Sequence, residues 1–292
     1  MIHHKFESVN SPKPHQGFLG QGHTATSIID GSDLTTTDPF LLLMDDHLDL
    51  PGGAPVGGAH PHAGFETVTL VIKGDEQNFI TGSMEVMTAG SGIIHTEQIT
   101  QKTQMRILQL WLALPPSKHW TTPAFQQILL EDVPKIKDSQ REIRVYSGSS
   151  QGLQSPITHF TPFTLIDFNL SPSAAARHEL SHTHKALIYV LEGEVTINNL
   201  KLKKGNVLTL SSSTDVEDSE LLFQASASGA RFILYSGIPT KSKVISHGPF
   251  MLTKKEDFQK LAQDYKYGRM PHLDDLPESV KIQHKSGMRD DN

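Results

Sequence analysis

The sequence predicts an all-β protein built from two tandem, jelly-roll-like β-barrels with a short helix near the C-terminus. Short apolar segments rich in β-branched residues recur about every 8–12 residues, and Gly, Ser or Asn clusters separate most of them. Segment 66–74 can be laid over segment 185–193, which lies 119 residues further on, and each resembles a buried strand ending at a glycine. A single helical pattern follows, late in the chain.

The predicted elements follow one another with little but turns between them. Residues 1–20 are polar and punctuated by Gly and Pro, so we expect a terminal arm, and residues 50–58 read as a Gly/Pro-rich loop. The predicted strands lie in 24–46, as short runs, and then at 66–72, 105–114, 142–146, 163–170, 186–191, 195–202, 207–210, 221–225 and 231–235.

We place the domain boundary in the polar stretch near residue 138, which gives domains of 1–137 and 138–292. The second domain would carry the helix. Thr253 and Glu256 have the spacing of a capping box, and apolar residues follow at helical spacing up to about Gly268. Those residues are Phe258, Leu261, Ala262 and Tyr265.

Composition narrows the function. The net charge of −6 and the lack of a long basic block argue against direct nucleic-acid binding. There is no cysteine, which excludes disulfides and thiol catalysis. The N-terminus has no apolar signal region, and no apolar run approaches the roughly 20 residues that span a bilayer. We expect a monomer with no membrane association, in the cytoplasm, or in cytoplasm and nucleus if the source is a eukaryote.

Two spaced pairs of side chains predict a metal site. His60 and His62 are one residue apart, and so are His95 and Glu97. Side chains two apart on a strand project from the same face, so each pair would deliver two donors to one side of a sheet. Three imidazoles and one carboxylate suit Fe(II), Ni(II), Cu(II), Mn(II) or Zn(II).

The alternative is that His95 is a hydrogen-bonded core histidine and Glu97 a solvated strand residue. Gly90 and Gly92, just ahead of His95, favour the metal site, because glycines let the backbone approach a ligand closely.

These residues resemble the two motifs of the cupin superfamily, and HPHAGFETVT, DPFLLLMDD, MTAGSGIIHTE and the segment starting HGPFMLTKKEDF resemble the pirin family specifically, over about residues 20–270. The resemblance implies a bicupin fold with His60, His62, His95 and Glu97 as ligands, and a structural or supporting role for Glu66. The chain departs from the family between Gly74 and Met87, where it is shorter, and at Glu85-Val86, which replaces the usual Gln-Trp.

The resemblance also implies chemistry. Some pirins are similar to quercetin 2,3-dioxygenases, which open a flavonol with O2 and release carbon monoxide. We therefore expect Fe(II), with Ni, Cu, Mn or Zn possible in the same site, a flavonol-like aromatic substrate with O2, and Glu97 as general base. Other pirins resemble iron-dependent transcriptional co-regulators that act through protein partners, which is the non-enzymatic alternative. Candidate pocket walls, each also a candidate for plain core, are Phe65, Phe79, Met87 and Trp111.

The second half offers a weaker set of candidate ligands, and we expect that half to hold no metal. With the repeat aligned at its glycines, His182 and His184 are three residues out of register with His60 and His62. An odd shift turns side chains to the other face unless a bulge intervenes. His178 and Glu179 complete the candidates, but no later His-x-Glu follows. The C-terminal cupin of pirins lacks metal, which agrees.

Overall fold

The computed structural model describes residues 2–75 and 79–285, and strands dominate them. These residues contain one α-helix, α1 (Lys255–Lys266), and two short 3-10 turns at Pro116–Lys118 and Glu278–Val280. Within the described ranges, no helix has the length and apolar character needed to cross a membrane. The prediction of an all-β chain with a short C-terminal helix is confirmed.

The strands range from two to nineteen residues in length. In order, the first eleven are β1 (Phe6–Asn10), β2 (Pro14–Gln16), β3 (His23–Ile29), β4 (Phe40–Leu50), β5 (His60–His62), β6 (Phe65–Lys73), β7 (Met84–Thr88), β8 (Ile93–His95), β9 (Thr103–Ala113), β10 (Ala124–Ile128) and β11 (Lys135–Lys137). The others are β12 (Arg141–Ser147), β13 (Ser149–Ser150), β14 (Leu153–Gln154), β15 (Phe163–Leu170), β16 (Ala175–Leu180), β17 (Lys185–Ile197), β18 (Leu200–Lys203), β19 (Val207–Leu210), β20 (Ser219–Gly237), β21 (Ile245–His247), β22 (Phe250–Leu252) and β23 (Lys281–His284).

The strands group into two compact units. The first unit contains Lys13–Leu130 and Thr240–Lys285, and the second contains the residues before Lys13 together with Glu131–Pro239. The predicted domain ranges, 1–137 and 138–292, stay a prediction. The contacts group the residues before Lys13 with the second unit and Thr240–Lys285 with the first. Local composition gives no sign of such grouping, because β1 pairs with β19 and β10 pairs with β23, far apart in sequence.

The first unit is built on an eight-stranded sheet in the order β2-β3-β4-β9-β6-β7-β10-β23, with two-stranded pairs β5-β8 and β21-β22 beside it. Strand β6 alternates between two buried faces. Val68 and Leu70 pack in the core, whereas Thr67 and Thr69 line a cavity on the other side. This double burial explains why most residues of the strand are apolar or β-branched.

The second unit has a nine-stranded sheet with the path β1-β19-β17-β20-β15-β12-β11, to which β16 and β18 add at the side. Its core is filled by apolar side chains from seven of these strands. Phe168, Phe223 and Phe232 stand at its centre, and each pair of rings is 4.9 Å apart between centroids. Aromatic side chains of this size occupy the interior of the second barrel.

Two strand boundaries in the second unit differ from the prediction. The sequence predicts strands at 186–191 and 195–202, yet β17 continues through Gly193, where the ladder has register shifts typical of bulges. The hairpin turn lies instead at Asn198 and Asn199, whose φ angles of 43° and 77° match the left-handed conformation that tight hairpins require. Likewise, β20 joins the predicted strands 221–225 and 231–235.

The two ends of the chain also hold more structure than predicted. The expected N-terminal arm contributes β1 and β2 to the two sheets. Helix α1 begins after Lys254, and no side chain caps it, so the predicted capping box is not formed. Within the helix, Leu261 is buried, whereas Ala262 and Tyr265 are exposed. The helix ends at Lys266, two residues before Gly268.

Candidate metal centre

Three of the predicted ligands lie on one short antiparallel ladder. His60 is paired directly with His95, and His62 with Ile93, in the β5-β8 pair. Since side chains alternate along a strand, His60 and His62 share a face, and the partner of His60 shares it too. One nitrogen from each of the three histidines lies within 4.8 Å of the others. The strand periodicity that predicted these residues therefore holds.

The imidazoles are aimed at one point. The Nε2 atoms of His60 and His95 are 2.8 Å apart. Two nitrogens bound to one ion at about 2.1 Å, at right angles, would be about 3.0 Å apart, so the pair already has the spacing of neighbouring ligands. The His62 ring is tilted by 87° to His60 and by 58° to His95, with centroids 4.9 Å away in both cases.

Hydrogen bonding and burial keep these rings in the form that binds cations. The Nδ1 of His60 lies 2.8 Å from the Gly58 carbonyl and donates to it, so Nε2 carries the lone pair that a metal would bind. Burial, assisted by the neighbouring imidazoles, lowers the pKa of His62 to about 3, and burial with His60 nearby does the same for His95. Both rings are therefore neutral at physiological pH.

The burial of His62 is only partly offset by the protein. The Pro249 carbonyl opposes the lowering of its pKa, but the buried Nδ1 forms no hydrogen bond of normal geometry with any residue that the structure describes. An isolated buried polar atom of this kind costs free energy. Neutral imidazoles, converging nitrogens and the incompletely hydrogen-bonded His62 ring together fit a divalent metal ion.

Glu97, the fourth predicted ligand, is close by but outside the group of three. Strand β8 ends at His95, so Glu97 lies two residues beyond it rather than on the predicted strand. Its Oε1 accepts a hydrogen bond of 3.3 Å from the Gln109 amide. Burial raises the pKa of the Glu97 carboxyl, and the nearby His60 opposes the rise.

Glycines shape the loops around these ligands. A Cβ on Gly57, whose φ is +72°, would lie 2.4 Å from the Glu97 carbonyl oxygen, so only glycine allows this loop to pair with residue 97. Gly90 and Gly92 allow close packing against other segments, and the expected close approach to a ligand stays a prediction. A Cβ at these positions would meet the Thr121 carbonyl and the Met270 side chain, respectively.

His60 and His62 border a cavity of about 970 Å³ in the first unit, whereas His95 borders a smaller cavity. His60, His62 and Glu97 lie in the wall of the larger cavity, and β4 and β9 contribute six apolar side chains. These are Leu42, Met44, Leu48, Met105, Ile107 and Trp111. Of the four predicted wall residues, Phe79 and Trp111 border this cavity, Met87 borders a smaller cavity of about 310 Å³ behind it, and Phe65 is a fully buried core residue.

Sequence reasoning missed two groups of cavity residues. Gly248 and Pro249 come from the C-terminal segment, which returns to the first unit where Phe250 bridges to Ala63. Their only signal was the HGPF motif. The second group comprises His15, His23 and Asp46, among which the His23 Nε2 donates to the Asp46 carboxylate at 2.8 Å. The alternation of residues along β3 and β4 would have placed His23 and Asp46 on inward faces.

The departure from the family at Glu85 lies at the smaller cavity. Glu85 borders it and accepts a hydrogen bond of 2.9 Å from Gln127, and burial raises the pKa of the Glu85 carboxyl. Glu66 is buried on the opposite face of β6, where it accepts a hydrogen bond from Thr88, which agrees with a structural role. The shortened 74–87 segment includes residues 76–78, which lie outside the described residues.

The candidate ligands of the second unit are dispersed. His178 faces inward and bonds to Ser150, Glu179 is exposed, His182 pairs with Asp218, and His184 bonds to Ser236. Within residues 2–75 and 79–285, the group formed by His60, His62 and His95 is the one set of three metal-ligating side chains. The absence of metal from the second barrel remains a prediction, supported by the phenylalanines that fill its core.

Comparison with known proteins agrees with this architecture. The family model described as Pirin matches residues 21–112, and the model described as Pirin C-terminal cupin domain matches residues 165–271. Pirin-like protein 2 of Arabidopsis thaliana is 31% identical over 271 residues, which cover 86% of this chain and 81% of that protein. This chain belongs to the pirin family. The predicted pair of tandem cupin domains is thereby confirmed.

A further pirin and a solved enzyme structure are similar to this chain over most of its length. Human Pirin is 29% identical over 263 residues, covering 85% of this chain and 88% of that protein. A solved structure of quercetin 2,3-dioxygenase from Acinetobacter baumannii superposes with a TM-score of 0.78 at 27% identity. It covers 92% of this pirin and 98% of the enzyme chain. The family and fold are therefore established, and the activity of this member is the next question.

Proposed function

We propose that this pirin is a metal-dependent dioxygenase, loaded with Fe(II), that acts on quercetin or a related flavonol or enol with O2. The observation that carries the proposal is the convergence of three imidazole nitrogens, within 4.8 Å, where His60 and His62 border a cavity of about 970 Å³. Cavities of about 300–1,000 Å³ with apolar walls and few polar groups are typical small-molecule sites. The likeness to a quercetin 2,3-dioxygenase supports the choice of substrate and of O2.

The donor set fits the proposed ion. Three neutral imidazoles and one carboxylate suit Fe(II), and Ni, Cu, Mn or Zn would be accepted by the same set. When bound, a redox-active ion supplies the electron transfer that O2 needs to react with an organic anion. We propose Glu97 as the fourth ligand, because it borders the same cavity as His60 and His62 and interacts electrostatically with His60.

The residues of the chain bind and orient the substrate. A site of neutral imidazoles and one carboxylate keeps a net positive charge with a divalent ion, which favours an enolate oxygen over a neutral hydroxyl. The Glu97 carboxylate would take the proton from that hydroxyl. Gln109 donates a hydrogen bond to Glu97 Oε1 and so restrains the orientation of the carboxylate. Apolar walls from β4 and β9 exclude water from the rings.

The test is turnover of quercetin in air by iron-loaded protein, followed as loss of its near-visible absorbance. Wild-type protein should consume quercetin with uptake of O2 and release of carbon monoxide, and His62→Ala and Glu97→Ala should not. His182→Gln, a histidine change in the second unit, is the control and should retain turnover. Turnover that survives His62→Ala would contradict the proposal.

The alternative remains an iron-binding co-regulator that acts through protein partners, as the resemblance to other pirins implied. Wild-type protein that binds one iron per chain but leaves quercetin and O2 unchanged would favour it. We also propose that the protein is a monomer, that it is cytoplasmic and that it does not bind nucleic acid. Light scattering of the purified chain would test the monomeric state.

A further inference from the structure

The turn between β2 and β3, residues 17–22, forms part of the cavity wall. Gly17, Phe18 and Leu19 border the cavity together with His15 and His23 at the turn's ends. The turn is closed by backbone hydrogen bonds, from Gly17 N to His23 O at 2.8 Å and from His23 N to Gly20 O at 3.1 Å. The turn therefore has a defined shape at the cavity wall.

His23 fastens this turn to the barrel. Its Nε2 donates to Asp46 on β4 at 2.8 Å, which leaves Nδ1 to accept the Leu19 N–H at 3.3 Å. The turn also sits tightly on the ring, because a Cβ added to Gly17 would lie 2.3 Å from the imidazole. The histidine ring itself is buried, with a side-chain exposure of 1%.

Phe18 contrasts with this fixed base. Its side chain is 82% exposed, although it borders an apolar cavity and stands beside a well-built turn. Its ring meets the His23 imidazole edge-on, at 5.4 Å between centroids and 76° between planes. A large aromatic side chain held at a cavity mouth can bury most of its surface only when something else enters the cavity.

We propose that Phe18 is a specificity-determining residue that packs against the part of the substrate extending from the metal centre toward the 17–22 turn. The substrate class is a planar enol with at least one further ring system beyond the ring that carries the enol oxygen. This inference rests on the proposed function for the placement of the enol oxygen at His60, His62 and His95.

The size of the cavity supports an extended ligand. At about 970 Å³ it lies at the upper end of the range of about 300–1,000 Å³ found for small-molecule sites. A single ring placed at the histidines would leave most of that volume, and Phe18, without contact. A second flat ring system would reach the apolar wall and give the Phe18 ring a face or edge to pack on.

Two ligands with the same metal-binding group separate the contribution of Phe18. Maltol is a single 3-hydroxy-4-pyranone ring, and 3-hydroxyflavone carries the same group fused and substituted with further rings. Binding of each is titrated without O2 to iron(II)-loaded wild type and Phe18→Ala, using ligand absorbance. We expect Phe18→Ala to weaken 3-hydroxyflavone about three- to tenfold, the effect of one aromatic contact, and to leave maltol within about twofold.

Two further variants complete the test. Phe18→Trp should restore the affinity for 3-hydroxyflavone, and Phe160→Ala, which removes an exposed phenylalanine from the second unit, should change neither ligand. Equal binding of 3-hydroxyflavone to wild type and Phe18→Ala would overturn the proposal. So would equal weakening of both ligands, because that points to a disturbed metal centre, or failure of wild type to bind either ligand.

These outcomes differ from failure of the proposed reaction, since no turnover takes place without O2. A selective effect of Phe18→Ala in a protein that does not consume quercetin in air would keep the ligand class and reject the dioxygenase. Turnover of quercetin with no selective effect would do the reverse.

Discussion

The Nε2 atoms of His60 and His95 lie 2.8 Å apart because the two residues are direct partners on antiparallel strands only three residues long. Strands this short have little stability alone. They are held from both sides, by the bridge between Val56 and Ile99 and by two hydrogen bonds at Ile94, which donates to Pro271 O and accepts from Leu273 N. The ligands are therefore positioned by backbone pairing before any ion binds.

This arrangement predicts one metal ion per chain that depends on each histidine. His95→Gln should lower the affinity for Fe(II) or Ni(II) by more than about 100-fold, because even residues that only support metal ligands contribute about 10–100-fold. Elemental mass spectrometry after dialysis would measure the metal content, and calorimetric titration would measure the affinity. His182→Gln should keep the wild-type content, and a second ion lost in that variant would contradict the single site.

The Glu97 carboxylate should affect kcat through its role as a base, beyond any general effect of removing a buried carboxylate. Glu97→Gln keeps the shape and removes the base, and we expect kcat for quercetin to fall by about 10²–10⁴-fold. Glu85→Gln is a matched control, since burial raises the pKa of that carboxyl too but its hydrogen bond goes to Gln127. An equal loss in both variants would show that kcat responds to buried charge in general rather than to Glu97.

The ligand histidines were predictable because their spacing is local. A period of two places His60 and His62 on one face, and β5 and β8 follow it. The position of Glu97 was not, because its strand ends at His95 and the backbone then turns toward Gly57. Which strand stops where depends on tertiary partners that a single sequence does not show.

Long-range pairings and bulges account for the other differences. Gly193 looked like a turn, but a cross-strand partner on β20 carries the chain through it as a bulge, and Asn198-Asn199 makes the turn. The return of the C-terminal segment to the first unit, which brings Pro249 to the metal centre, is marked locally by the HGPF motif alone, and that motif does not show where the segment packs. Packing over more than a hundred residues decides it.

The loop before His60 should depend on a single glycine. Gly57→Ala adds a Cβ only 2.4 Å from the Glu97 carbonyl oxygen at a φ of +72°, and we expect a loss of about 1–3 kcal/mol in unfolding free energy and weaker metal binding. Gly58→Ala is the neighbouring control, because the added Cβ meets no atom of the described residues within 4 Å. Urea unfolding and metal titration of both variants would measure the difference, and equal stability would contradict it.

Protonation of His178 should destabilise the second unit as the pH is lowered. Burial, with His184 nearby, lowers the pKa of His178 to about 4, whereas an unfolded histidine titrates near 6.5. Between these values the unfolded chain binds a proton that the folded one does not. Stability is therefore full above about pH 6.5 and declines as the pH falls toward 4, by about 3 kcal/mol in all. Below pH 4 both states are protonated and the contribution stops changing.

Urea unfolding of metal-free protein between pH 7 and 4, wild type against His178→Gln, would measure this slope. The glutamine can keep a hydrogen bond to Ser150, which lies 2.9 Å from His178 Nδ1, but cannot take up a proton. The variant should therefore lose less stability than wild type over the window, whatever its stability at pH 7. Parallel curves for the two proteins would mean that His178 is protonated equally in the folded and unfolded chains, which its burial opposes.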